Sequence, residues 1–296
     1  MLLNEILKGT GVALVTPFEQ GGGVDYKSLQ NVIDFVLDGG VKYIVTLGTT
    51  GEAPTLSQDE KKEIISATLT FVNGRVPVVI GIGGNNTQSL CHDLNTYPLQ
   101  GAVAVLSASP YYNKPSQEGV YQHYKALAEA SPLPVLLYNV PGRTGSNISS
   151  ATTIRLANEV PNIAGIKEAS GNMQQCMEIL RDRPANFLVV SGDDLLALPQ
   201  IACGMDGVIS VAANCFPSEF SNMVEAGLLN NFVEARQLNN KLLLGYDILF
   251  SENNPAGAKA FLGELGVIQN HLRLPLVPLS KATHDRARAF LQRLRA

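Results

Sequence analysis

Two kinds of stretch alternate along almost the whole chain. Short runs rich in Val, Ile and Leu, apolar at odd and even positions alike, occur at 11–17 (GVALVTP), 43–48 (YIVTLG), 76–82 (VPVVIGI) and 102–107 (AVAVLS). Four more follow at 134–140 (PVLLYNV), 163–169 (IAGIKEA), 187–192 (FLVVSG) and 206–212 (DGVISVA). A strand apolar on both faces belongs in a parallel sheet that is covered on each side. The segments between the runs carry helical spacing instead. Leu29, Val32, Ile33, Val36 and Leu37 share one helical face, and Gly39 and Gly40 stop that helix. Ser57 and Glu60 form an S-x-x-E capping box ahead of Ile64, Ile65, Leu69 and Val72. Eight such strand–helix units predict an α/β fold, a closed (β/α)8 TIM barrel over residues 1–229; an open doubly wound sheet is the structural alternative.

From residue 230 the strands cease. Leu238, Leu242 and Leu249 supply one helix, and Ala287, Phe290, Leu291 and Leu294 form a stripe on the last one. The proline-bearing connector LRLPLVPLS lies between them, so residues 230–296 read as a C-terminal helical extension.

Composition narrows the class. Of 296 residues, 45% are hydrophobic and 16% charged, enough apolar material for a large core, and the formal net charge of −4 gives no reason to expect nucleic acid or an anionic membrane as partner. No apolar run is long enough to span a bilayer, and MLLNEILKGTG does not read as a signal peptide, so a cytoplasmic location is expected. Cys91, Cys176, Cys203 and Cys215 form neither a CxxC pair nor a zinc pattern and read as small buried apolar residues. His92, His123, His271 and His284 fall in no ligand spacing, and no metal site is expected.

Active sites of such barrels lie at the C-terminal ends of the strands, so reactive side chains there carry the argument. Lys167 ends IAGIKEAS. If Ile166 faces the helices, Lys167 faces the barrel interior, with Gly165 leaving room beneath it. An inward ammonium is costly to desolvate, and the neutral amine is the form that attacks a carbonyl. The alternative is a loop lysine paired with Glu168 in solvent. Tyr138 ends the fifth strand as a proton donor and acceptor, or as a core tyrosine capping the barrel. Arg143, in the loop beyond it, suits a carboxylate or is a plain surface arginine. GTTGE (48–52) could hold a carboxylate with amides and hydroxyls, or be only a tight turn. Tyr111 and Tyr112, adjacent in the loop after the fourth strand, suit an interface as well as catalysis. GIGGNN (81–86) lacks the last glycine of a dinucleotide loop. Asp193 and Asp194 in SGDD either bind a cation or start a helix as cap and first-turn residues.

Taken together, GTTGE, PYYNKPSQEG, YNVPGRTG, GIKEASG, SGDD, GVISVAAN and NNPAGAKAFLGELG resemble, in this order and spacing, the dihydrodipicolinate synthase branch of the N-acetylneuraminate lyase superfamily. The resemblance covers essentially the whole chain. It implies a class I aldolase in which Lys167 forms an imine with pyruvate and the enamine attacks aspartate 4-semialdehyde. The product is 4-hydroxy-tetrahydrodipicolinate, in the first committed step of diaminopimelate and lysine biosynthesis, with no metal or organic cofactor. It further implies Tyr138 as general acid and base, linked by Thr49 to Tyr112 from a neighbouring subunit, in a tetramer built as a dimer of dimers. The amides of Thr49 and Thr50 would hold the pyruvate carboxylate and Arg143 that of the semialdehyde; Gly192 and the Ile209 carbonyl would line the pocket. A 2-keto-3-deoxy sugar acid aldolase and a non-catalytic keto-acid-binding relative are the alternatives.

Overall fold

The computed structural model describes residues 2–295. Eight strands form a closed parallel barrel in sequence order: β1 (Gly9–Ala13), β2 (Tyr43–Thr46), β3 (Val78–Gly81), β4 (Ala104–Ala108), β5 (Val135–Asn139), β6 (Ile163–Glu168), β7 (Leu188–Ser191) and β8 (Gly207–Ser210), with β8 pairing back onto β1. Each predicted run contains a strand or overlaps one, and the closed ring excludes the open sheet.

Alternation along the strands builds two apolar layers. Tyr43, Val45, Val79, Leu106, Leu136, Leu188, Val190 and Ile209 point inward and fill the barrel. Ile44, Val78, Ile80, Val105, Leu137, Ile166, Val189 and Val208 point outward into the larger core beneath the helices. The N-terminal turn Leu3–Ile6 lies against the barrel's inner layer, with Leu7 fully buried in it. Room beneath Lys167 is not what Gly165 provides: a Cβ there would meet the Leu188 carbonyl oxygen at 2.6 Å, so glycine lets β6 and β7 approach.

The strand ends differ from the apolar runs for an identifiable reason. The run 11–17 leaves the ladder after Ala13, and Val15 N–H donates to the Asn214 side chain (3.2 Å) instead of to a strand. The run 206–212 stops at Ser210 because the amides of Val211 and Ala212 donate to the Asp194 carboxylate. Polar side chains thus end strands that their apolar neighbours would continue.

Helices between the strands start on short polar caps. Asp25, Ser57, Asn86, Ser116, Ser149 and Asn172 each accept a backbone N–H in the first turn, and Ser57 with Glu60 forms the predicted capping box. Asn86 gives the GIGGNN segment a local role, as the cap of helix Thr87–Thr96. The four thiols are not alike: Cys176 and Cys215 are buried, Cys91 is half-buried and Cys203 is exposed on the turn after helix Ala197–Ala202, contrary to the uniformly buried expectation.

Of the last helices, Ala256–Glu264 and Lys281–Arg295 pack through edge-to-face contacts among Phe216, Phe261 and Phe290, with ring centres 5.0–5.9 Å apart, and Phe232–Phe250 sets Tyr246 edge-on to Phe220 at 6.1 Å. Among the described residues, no helix is long and apolar enough to cross a membrane, and no group of three or more His, Cys, Asp or Glu could hold a metal ion.

Candidate active site

The pairing of β5 with β6 sets Tyr138 opposite Lys167 and Asn139 opposite Glu168. Successive side chains alternate, so the first pair faces the barrel interior and the second faces the helices. Lys167 is 4% exposed, and its Nζ lies 4.4 Å from the centre of the Tyr138 ring. Among the described residues it takes part in none of the ion pairs, although the equally buried Lys259 does. Its stem passes close to Gly192, where a Cβ would stand 2.9 Å from Lys167 Cε. Glycine at the end of β7 is therefore needed for the lysine to lie as it does.

Glu168 does not meet Lys167 in solvent. It is fully buried on the opposite face of β6. Its Oε1 accepts from Ser170 N (2.6 Å), and its Oε2 from Asn139 Nδ2 (2.9 Å) and Gln175 Nε2 (3.0 Å). Asn139 also donates to Asn147 Oδ1 (2.8 Å) and accepts from Ile148 N (2.9 Å). This network fixes the ends of β5 and β6 from behind, directly opposite the inward pair.

A cavity of about 400 Å3 opens at the C-terminal ends of the strands and is lined by Thr49, Thr50, Tyr138, Arg143, Lys167 and Gly192, among others. Thr49 and Thr50 lie in a 3-10 turn, Thr49–Gly51, immediately after β2. The Thr50 hydroxyl accepts from Asn254 Nδ2 (2.9 Å). Arg143 sits in the single turn Pro141–Thr144 with its guanidinium 3.5 Å from Asn253 Oδ1. Six of the eight expected site residues therefore surround one space.

Two do not line it. Ile209 is buried in the barrel's inner layer. Tyr112 is 87% exposed and turned outward by a backbone φ of +66°. Tyr111 lines an adjoining recess that shares Thr49, Tyr138 and Arg143 with the first.

The acids of SGDD divide their work. Asp193 accepts from Leu195 N and Leu196 N at the turn leading into helix Ala197–Ala202, as a cap residue does. Asp194, expected in a first turn, is instead buried against the segment after β8, bonded to Ser210 Oγ and to two amides. Burial pushes its carboxyl up to about 6, against those hydrogen bonds.

Residues the sequence reading misses come from the extension: Phe250, Asn253 and Asn254 form part of the wall. Their only signal is their place in NNPAGAKAFLGELG, because nothing in local periodicity brings residue 254 to residue 50.

An inward lysine with no ion-pair partner among the described residues, beside a phenol at the mouth of a closed (β/α)8 barrel, is the arrangement that a Schiff-base-forming barrel enzyme requires. The model of the dihydrodipicolinate synthetase family matches residues 6–294, and the chain belongs to that family. It is 50% identical over 288 residues to the 4-hydroxy-tetrahydrodipicolinate synthase of Parabacteroides distasonis, covering 97% of each chain. The dihydrodipicolinate synthase of Acinetobacter baumannii complexed with pyruvate superposes with a TM-score of 0.94 at 42% identity, over 97% of this chain and 99% of that one. A structure described as the first monomeric dihydrodipicolinate synthase variant superposes with a TM-score of 0.95 at 38% identity, over 98% of each chain.

The buried network behind the site yields a test. In Glu168→Gln an amide replaces a carboxylate that meets three donors, leaving at least one donor unpaired, at a cost of about 1–3 kcal/mol. The thermal unfolding midpoint should fall by several degrees; an unchanged midpoint would mean that the carboxylate does not hold these strand ends.

Proposed function

We propose that the protein joins pyruvate to L-aspartate 4-semialdehyde through an imine at Lys167, giving 4-hydroxy-tetrahydrodipicolinate. The observation that carries this is the unpaired, buried Lys167 beside Tyr138 in a member of this family. The lysine amine attacks C2 of pyruvate and water leaves, forming the imine. Loss of a proton from C3 gives the enamine, whose C3 attacks the aldehyde carbon. The amino group of the former semialdehyde then attacks C2 and displaces Lys167, closing the ring. One water is released overall. The protonated imine accepts the electrons of the departing C3–H bond, so the chemistry needs no metal or organic cofactor.

Tyr138 is the proton donor and acceptor in this reading. The amides of Thr49 and Thr50, at the start of the 3-10 turn, receive the pyruvate carboxylate, and the Thr50 hydroxyl, which accepts from Asn254 Nδ2, keeps its own O–H to donate beside them. Gly192 admits the lysine stem. Arg143, at the rim, receives the carboxylate of the semialdehyde. Tyr112 projects from its own subunit, a geometry that supports entry into a neighbour's site, where Thr49 would link it to Tyr138. The reading includes a cytoplasmic homotetramer made of two such dimers.

Borohydride with pyruvate should inactivate the enzyme and leave one reduced pyruvyl group at Lys167, detected by peptide mapping. Lys167→Arg should abolish trapping; label on a different lysine would overturn the assignment.

Arg143→Ala should raise KM for the semialdehyde far more than KM for pyruvate, through loss of a charged contact worth about 1.5–3 kcal/mol. Steady-state kinetics with each substrate varied decides it. A wild type that uses uncharged sugar aldehydes and ignores the semialdehyde would favour the sugar-acid aldolase.

If Tyr112 completes a neighbour's site, inactive Tyr112→Phe and inactive Lys167→Ala should regain activity on mixing, through hybrid dimers with one intact site. Absence of activity after demonstrated subunit exchange would place Tyr112 in its own subunit's site.

A further inference from the structure

A second buried lysine lies behind the site. Lys259, in helix Ala256–Glu264, pairs with Glu52 at 2.5 Å, and both side chains are fully buried. Glu52 ends the Thr49–Gly51 turn and begins the next one, Ala53–Thr55. Its backbone is left-handed (φ 53°), a conformation that L-residues other than Asn and Asp rarely take. Glycine would relieve that strain, yet a glutamate stands there, and its side chain is what the surroundings hold. Glu52 Oε2 accepts from Arg273 N (3.2 Å), and Lys259 Nζ donates to the His271 carbonyl (2.8 Å). The Phe18 ring lies between the two cations, 4.1 Å from Lys259 Nζ and 4.4 Å from Arg273 Cζ. Arg273 in turn donates to Glu60 and to the carbonyls of Gly22 and Thr55. The turn carrying Thr49 and Thr50 is thus tied at its far end to the C-terminal extension, more than two hundred residues away in sequence.

We propose that Lys259 and Glu52 are positioning residues for the pyruvate site: their buried pair fixes the left-handed Glu52, and so aims the amides of Thr49 and Thr50 at the pyruvate carboxylate. The inference rests on the assignment of that carboxylate to these amides. The pair touches no substrate, and its effect passes through the backbone of three residues. Energetics favour this use over a purely stabilising one. A buried ion pair contributes little net stability, because the desolvation of both charges offsets their attraction. Burial lowers Lys259 to about 8, with Glu52 pulling it back upward, so the ammonium keeps its proton near neutrality with only a modest margin. An apolar pair of similar volume would hold the extension as well, but it would offer no acceptor to the Arg273 amide and no counter-charge to fix the left-handed backbone at position 52.

Single removal of either partner leaves an uncompensated buried charge and threatens folding. The informative variant is therefore Lys259→Met combined with Glu52→Gln, which removes both charges. It should stay folded, with a thermal midpoint near that of wild type, while KM for pyruvate rises roughly tenfold or more and KM for the semialdehyde changes by less than about twofold. Borohydride trapping at Lys167 should persist at saturating pyruvate, so the clamp is read from KM and the nucleophile from the trapped peptide. A folded double variant with an unchanged pyruvate KM would show that the pair is structural only. If the double variant does not fold, Glu52→Asp keeps both charges and withdraws the carboxylate by one methylene. A rise in pyruvate KM of about threefold or more supports the clamp, and a smaller change overturns it.

Discussion

A lysine buried inside a barrel, without a carboxylate to meet it among the described residues, is the constraint on which the rest of the site depends. Burying a charge is costly, and a chain can either pair the group with a counter-charge or leave it unpaired and available to react. The protein contains both solutions. Lys259 is buried against Glu52 and stays an ion pair. Lys167 is buried beside the face of Tyr138, and its sequence neighbour Glu168 is turned to the other side of the strand. One residue of register separates a lysine that would be a structural cation from one free to attack a carbonyl.

The same register supports the geometry from behind. A parallel strand pair presents two faces, and here both are used at the same rung. Tyr138 and Lys167 meet in the interior, while Asn139 and Glu168 anchor the strand ends to Gln175, Asn147 and the Ile148 amide. The side chains proposed to carry chemistry therefore sit on the ladder itself, with their supporting hydrogen bonds one residue away along the chain. Elements of this kind hold a side chain more narrowly than loops do.

Much of this is legible in the sequence because it is local. Period-two alternation places Lys167 inward once Ile166 is assigned outward, and continuous apolar runs predict all eight strands. The strand ends are less legible, because they are set by Asn214 and Asp194 acting on segments that share no local pattern with them. Asp194 itself reads as a helix-start residue, since Asp favours such positions; only the packing of β7 against β8 shows it as a buried acceptor. The wall formed by Phe250, Asn253 and Asn254 is illegible for the same reason, as it depends on how the extension folds back. Tyr112 is legible as a loop residue, and its exposure and positive φ keep it out of the cavity that the other site residues line.

This division has a consequence for how such a site can change. On the proposed mechanism, the strand-borne pair, Lys167 and Tyr138, would make a carbon nucleophile from a keto acid whatever the second substrate is. On the same proposal the second substrate would meet Arg143, with Asn253 beside it, and a tyrosine from another subunit, all on turns or connectors. Loops tolerate substitution, whereas the ladder does not, because a shift of one residue there would exchange Lys167 with Glu168. Reaction class would thus be fixed by register, and choice of aldehyde by segments whose positions are set from afar. The helical extension belongs to the second group through Asn253 and, through Asn254, reaches Thr50 in the turn assigned to pyruvate. On that assignment it is part of the active site in the physical sense: its packing helps decide where both segments assigned to carboxylates lie.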